Sequence, residues 1–100
     1  MIYPEDTKKM LVSKLETLSR IMYMAIVKYK RVHSDEMKDS WGLPSVYAKA
    51  LIKMRRELDI INKLILLLKS DSDKDPVLKP SDFKKFNEYW TRYKRIGENV

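Results

Sequence analysis

The chain contains no cysteine, only two glycines and a single histidine among its 100 residues. Without cysteine, disulfide bonds and thiolate metal sites are excluded, and we expect a protein of the reducing cytoplasm. With so few glycines there is no glycine-rich loop of the kind that cradles phosphates in nucleotide-binding proteins. The N-terminal residues also lack the basic start and apolar run of a secretory signal, which favours the same location.

Long hydrophobic runs and catalytic motifs are missing as well. The most apolar stretch, residues 60–68, is far shorter than the roughly 20 residues that span a bilayer, so a membrane protein is not expected. His33, the sole imidazole, has neither a nucleophile motif nor a second histidine beside it in the sequence. We therefore predict a protein that is not an enzyme and has no cofactor, metal site or small-molecule substrate.

One acidic segment has the spacing of a calcium loop. Asp71, Asp73 and Asp75 alternate like the first ligands of an EF-hand. Pro76 occupies the position where that loop needs glycine, and Asp82 stands where it needs the longer glutamate. We interpret the segment as a solvated linker and predict no calcium site.

Apolar residues recur at every third or fourth position in three segments, which predicts an all-α fold. We expect two long helices, at about 6–33 and 44–69, to form an antiparallel hairpin. An acidic, proline-containing linker at 70–80 leads to a shorter, aromatic-rich helix at about 82–96. Together they predict a three-helix bundle in a single domain.

The periodicity also predicts which side chains are buried. In the two long helices the expected core consists of Leu11, Leu15, Leu18, Met22, Ala25, Tyr29, Tyr47, Leu51, Met54, Leu58, Ile61, Ile65 and Leu68. In the third helix we expect Phe83, Phe86 and Trp90 to be buried. Tyr89 and Tyr93 are expected nearer the surface, because a phenol tolerates a half-exposed position. Ser81 is expected to cap the start of this helix and Gly97 to end it.

Positive charge is what the chain has in quantity: 21 lysines and arginines against 14 acidic residues give a net charge of +7. The predicted helices are basic and the linkers acidic, so the cations should lie on outer helix faces, where they could follow a phosphate backbone. Some are expected to form intrahelical pairs, Glu16 with Arg20, Asp59 with Lys63 and Glu88 with Arg92. A merely solvated basic surface is the alternative interpretation.

The leading functional hypothesis is a small module that binds an acidic partner, most of all nucleic acid, in a regulatory or accessory role. In the third helix, Tyr89, Trp90 and Tyr93 could stack on bases beside its cations. The candidate binding residues are Lys28, Lys30, Arg31, Lys49, Lys53, Arg56, Lys84, Lys85, Tyr89, Arg92, Tyr93, Lys94 and Arg95.

The alternative hypothesis is a protein–protein adaptor or inhibitor. Beyond Ile60 the second helix is apolar nearly all round, which is more than one hairpin partner covers. Such a protein would form a homo-oligomer through this end and present its third helix to a protein partner. The candidate oligomer interface consists of Ile60, Leu64, Leu66, Leu67 and Leu68. An interfacial membrane role for the third helix is disfavoured by its short apolar face.

Overall fold

A computed structural model of the chain describes residues 5–70 and 77–99. The described residues contain helices and no β-strand, which confirms the predicted all-α fold. None of their helices is both long enough and apolar enough to cross a membrane. The elements in chain order are α1 (Glu5–Val32), a single 3-10 turn (Ser34–Glu36), α2 (Val46–Lys69) and α3 (Pro80–Asn99).

The central helix of the bundle is α1, because α2 and α3 both pack along it. α2 runs antiparallel to α1, so that Lys69 at its C-terminal end lies 3.3 Å from the carboxylate of Glu16. α3 runs parallel to α1, and Lys28 Nζ donates a hydrogen bond of 2.6 Å to the carbonyl of Gly97. α3 lies along α1 and leaves much of the apolar C-terminal end of α2 exposed.

The predicted stripes of α1 and α2 form the core. A three- to four-residue spacing keeps such side chains on one helix face, which turns toward the neighbouring helix. Leu11, Tyr29, Tyr47 and Leu58 are half-buried at its edge. The buried apolar side chains of these two helices are Leu15, Leu18, Met22, Ala25, Ile26, Leu51, Met54, Ile61, Ile65 and Leu68.

The helix ends differ from the prediction in ways that the caps explain. α2 begins at Val46 because Ser45 is the N-cap, its hydroxyl accepting the N–H of Ala48 at 3.3 Å. α3 begins at Pro80, and Asp82 accepts the N–H of Lys79 at 2.8 Å, which replaces the expected cap at Ser81.

Gly97 does not end α3 as we predicted. It lies within the helix, which continues to Asn99, and it does not have a positive φ. The cation of Lys28 reaches its carbonyl and so complements the negative C-terminal end of the helix.

Candidate binding surfaces

The inward face of α3 is not the one that the sequence predicted. Tyr93 is fully buried and Tyr89 nearly so, whereas Trp90 is 36% exposed and Phe83 lies at the surface. The expectation that the two tyrosines offer an accessible stacking platform is therefore wrong. Phe86 is half-buried against the core, so only this member of the predicted aromatic trio packs as expected.

A buried carboxylate explains why a tyrosine suits position 93. Glu57 occupies the apolar seam of α2 and is nearly inaccessible to water. Tyr93 Oη donates a hydrogen bond of 2.6 Å to its Oε1, and Arg92 Nη1 lies 3.4 Å from both of its oxygens. The Arg92 guanidinium also lies 5.8 Å from the centre of the Tyr89 ring. Because a buried charge is costly unless it is paired, a phenylalanine could not replace Tyr93 without loss.

This cluster shifts the ionisation of both phenols in one direction. Burial raises the pKa of Tyr93 well above its ordinary value of 10.0, and the hydrogen bond to Glu57 and its negative charge raise it further. Burial also raises the pKa of Tyr89, with Glu57 again adding to the effect. Both phenols are neutral at physiological pH, as an ordinary tyrosine is, and both rings lie in the interior of the protein.

Arg92 is engaged by the same cluster. It pairs with Glu57 across the bundle instead of with Glu88, the partner that we expected along α3. Since the carboxylate largely neutralises it, Arg92 is a poor candidate for an anion contact. Of the other two predicted pairs, Asp59 with Lys63 is confirmed at 3.0 Å, while Glu16 pairs with Lys69 and not with Arg20.

The outer face of α2 carries the clearest uncompensated charge. Lys49, Lys53 and Arg56 are exposed and form no ion pair within the described residues. At positions i, i+4 and i+7 they share one helix face over a length of about 10 Å. Neither acid of α2 offsets them, because Glu57 is buried with Tyr93 and Asp59 is bound to Lys63.

The other predicted cations are more scattered. Lys28 is half-buried, and its ammonium group is hydrogen-bonded to the carbonyl of Gly97 at the end of α3. Consecutive residues point about 100° apart around a helix, so the neighbouring cations of α3 cannot all face one ligand. The exposed cations of α1 and α3 in the predicted set are Lys30, Arg31, Lys84, Lys85, Lys94 and Arg95.

Most of the predicted oligomer interface is accessible. Leu66 is 68% exposed, and Ile60 and Leu67 are exposed as well, while Leu64 is half-buried. Leu68 is the exception: it packs in the protein's own core and cannot belong to an interface. Its place in the stripe that faces α1 explains the difference.

A groove between α1 and α3 was not foreseen from the sequence. Its aromatic end is a cavity of about 700 Å³ with Met10 and Lys14 on one side and Phe83 and Trp90 on the other. Its basic end is a second cavity of about 530 Å³ on the same pair of helices. The cations of the basic end are Arg20, Lys28, Arg31 and Lys94, beside the apolar Ile21, Met24 and Val27. The two cavities together are called the α1/α3 groove below.

The hydrogen bonds within the loop between α1 and α2 were not foreseen from the sequence. In this Trp41 loop (residues 38–44), the Asp39 carboxylate accepts the N–H groups of Trp41 and Leu43 at 2.9 and 3.0 Å. The carbonyl of Asp39 accepts the N–H of Gly42, whose φ of 77° suits a residue without a side chain. Trp41 is 86% exposed at the tip. An aspartate two residues before Trp-Gly was the sequence signal for such a turn.

The described residues hold no cluster of acidic, histidine or cysteine side chains that could bind a metal ion. The calcium prediction falls on Asp71, Asp73 and Asp75, which lie outside them. His33 is part of an aromatic stack, with its ring centre 4.1 Å from that of Tyr47 and its Nδ1 3.4 Å from Glu36.

Comparison with known proteins gives no relative. No protein-family model matches the chain, and neither a curated protein nor a solved structure is significantly similar to it. Function has to be argued from the surfaces described above.

Proposed function

We propose that the protein is a non-enzymatic module that binds nucleic acid through the outer face of α2. The observation that carries this proposal is the uncompensated trio Lys49, Lys53 and Arg56 on one helix face. Binding would rest on contacts to phosphates and would therefore show little sequence preference.

The geometry of α2 supports a phosphate contact in two ways. Its three cations lie on a rigid helix whose opposite side is anchored in the core by Leu51, Met54 and others. They need not break existing ion pairs before they meet an anion, whereas Lys63, Lys69 and Arg92 would. The net charge of +7 adds a long-range attraction that speeds encounter with a polyanion.

The test is a titration of a labelled DNA duplex and a labelled single-stranded RNA, followed by fluorescence anisotropy at several salt concentrations. Affinity should fall linearly with salt on a log–log plot, by about 0.9 for each duplex phosphate neutralised. Replacing Lys49, Lys53 and Arg56 with glutamine should reduce the magnitude of the duplex slope by up to about 2.7, which is 0.9 for each of three contacts.

A matched control removes three positive charges at other positions. Lys38→Gln, Lys63→Gln and Lys69→Gln together also lower the net charge by three, but two of these lysines are bound to carboxylates. This variant should retain most of the affinity and most of the slope. No binding of either nucleic acid at low salt, or equal losses in the two triple variants, would overturn the proposal.

A second candidate function is a protein–protein adaptor that self-associates through α2. The observation that favours it is the exposure of Ile60, Leu66 and Leu67, which α3 leaves uncovered. Replacing Ile60 and Leu67 with glutamine should then shift the particle mass in light scattering to that of the 11.9 kDa monomer. A wild-type protein that is already monomeric at high concentration counts against this candidate.

A further inference from the structure

The Trp41 loop exposes an indole ring to solvent at its tip. Its hydrogen bonds to the Asp39 carboxylate and the turn at Gly42 fix the tip, so the exposure of Trp41 belongs to an ordered loop. Leu43 beside it is also exposed. A tryptophan buries about 150–250 Å² when it is covered, and it is among the residues that most often dominate binding interfaces.

The segment that leads into the Trp41 loop makes this region acidic within a basic protein. Residues 34–43 carry three carboxylates, Asp35, Glu36 and Asp39, against one lysine, Lys38. This composition disfavours nucleic acid as the loop's ligand, because phosphates would be repelled. It favours a basic, apolar recess as the surface that covers Trp41.

The α1/α3 groove is a recess of that kind. Phe83 and Trp90 offer rings to an indole at its aromatic end, where aromatic pairs gain from edge-to-face packing. Four cations line its basic end, and no acidic residue lines either cavity among the described residues. The aromatic end alone, at about 700 Å³, falls in the range of about 300–1,000 Å³ that is common for binding pockets.

The loop cannot reach the aromatic end of the groove in its own chain. Met10, at the aromatic end, lies about 33 Å of helix before Val32, the last residue of α1. The segment from Val32 to Trp41 could cover at most about 30 Å if it were fully extended, and it is folded into turns. Any contact between Trp41 and the aromatic end must therefore join two molecules.

We infer that the Trp41 loop of one copy docks into the α1/α3 groove of a second copy. The indole occupies the aromatic end, and the carboxylates beside it face the cations of the basic end. Because the two surfaces differ, a dimer held by one such contact still has a free loop on one molecule and a free groove on the other. The contact therefore repeats head to tail. This assembly leaves Lys49, Lys53 and Arg56 unused and does not rest on the proposed function.

The contact is expected to be weak and sensitive to salt. One loop in one groove buries less than the roughly 1,200 Å² at which stable interfaces begin, so association should be transient. The loop and groove attract each other by charge, which salt screens. Sedimentation equilibrium from about 10 μM to 1 mM, at low and at high salt, covers the corresponding affinities.

The decisive experiment uses two variants that each block one surface. Trp41→Glu removes the indole, and Met10→Glu places a negative charge at the mouth of the groove. Each variant should lose about thirtyfold or more in self-association, the effect of losing a hot-spot residue. Mixed in equal amounts, they should form a dimer that grows no further, since Trp41→Glu still offers a groove and Met10→Glu still offers a loop.

Leu66→Glu is the matched control, because it places the same charge on an exposed leucine of α2. It should associate like the wild type; if it alone becomes monomeric, the interface lies on α2 and the inference is wrong. A wild-type protein that stays monomeric up to 1 mM would also overturn it. So would a mixture of the two blocked variants that remains monomeric under conditions where the wild type associates.

Discussion

Two helices pack on α1 by different chemistry. α2 buries five aliphatic or methionine side chains, whereas α3 buries two tyrosines, one of which donates a hydrogen bond to Glu57 of α2. The α1–α2 seam is therefore a non-directional hydrophobic contact, which tolerates changes of pH. The attachment of α3 depends on oriented hydrogen bonds and on the protonation of Tyr93. α3 should consequently be the helix that responds to pH and opens first.

The largest effect is expected from the core of α2. Ile61 is fully buried, so Ile61→Ala should lower the free energy of unfolding by about 2–5 kcal/mol through lost burial and the cavity left behind. Its exposed neighbour Ile60 provides the control, and Ile60→Ala should change stability by less than about 0.5 kcal/mol. Urea unfolding of the two variants measures the difference, and equal losses would contradict this assignment of the inner face.

A smaller loss of stability is expected at the contact between Tyr93 of α3 and Glu57 of α2, called the α3 seam below. Tyr93→Phe removes the closest donor to Glu57 and should cost about 1–3 kcal/mol, because the buried carboxylate then keeps only the longer contacts with Arg92. Adding Glu57→Met should recover part of that loss, since both polar groups are then gone. Tyr23→Phe, at an exposed tyrosine, is the control. A double variant whose loss equals the sum of the two single losses would show that the pair is not coupled.

Alkaline pH should weaken the α3 seam. Well below pH 10.0, the ordinary pKa of tyrosine, Tyr93 is protonated in the folded and unfolded chains and contributes its full stability. Above that pH the unfolded chain releases the proton while the folded protein retains it, so stability falls, by at most about 1.4 kcal/mol per pH unit for one group.

The melting temperature between pH 9 and 11 measures this effect. Tyr93→Phe should show a shallower decline than the wild type, because its folded state has no raised phenol pKa at this position. Lysines titrate in the same range in both proteins, and the comparison removes their common contribution. Parallel declines would show that Tyr93 does not control the alkaline response.

The smallest effect is expected at the end of α3. Lys28→Met removes the hydrogen bond to the carbonyl of Gly97 while keeping an apolar stem, and it should cost about 0.5–1.5 kcal/mol. Hydrogen exchange should accelerate in the last turn of α3 and remain unchanged in α2. Lys30→Met, at an exposed position two residues along α1, is the matched control. Faster exchange throughout the protein would mean that Lys28 supports more than this helix end.

The local spacing of apolar residues was enough to predict α1 and α2. Leu15, Leu18 and Met22 recur with helical spacing on a single stripe, and so do Leu51, Met54 and Ile61, so the stripe of each helix indicates the face that turns inward. The confirmed Asp59 with Lys63 pair is also local, because it depends only on a spacing of four residues. The candidate cations of α2 were predictable for the same reason.

The sequence by itself determined an all-α chain, the inner faces of its two long helices and its excess of positive charge. Only the tertiary structure decided which rings of α3 turn inward, because the five rings of that helix form one ridge about 120° wide and Glu57 across the bundle binds Tyr93 on one side of it. It also decided which cations remain unpaired and where the α1/α3 groove lies. Those features depend on residues far apart in sequence, which no local pattern relates.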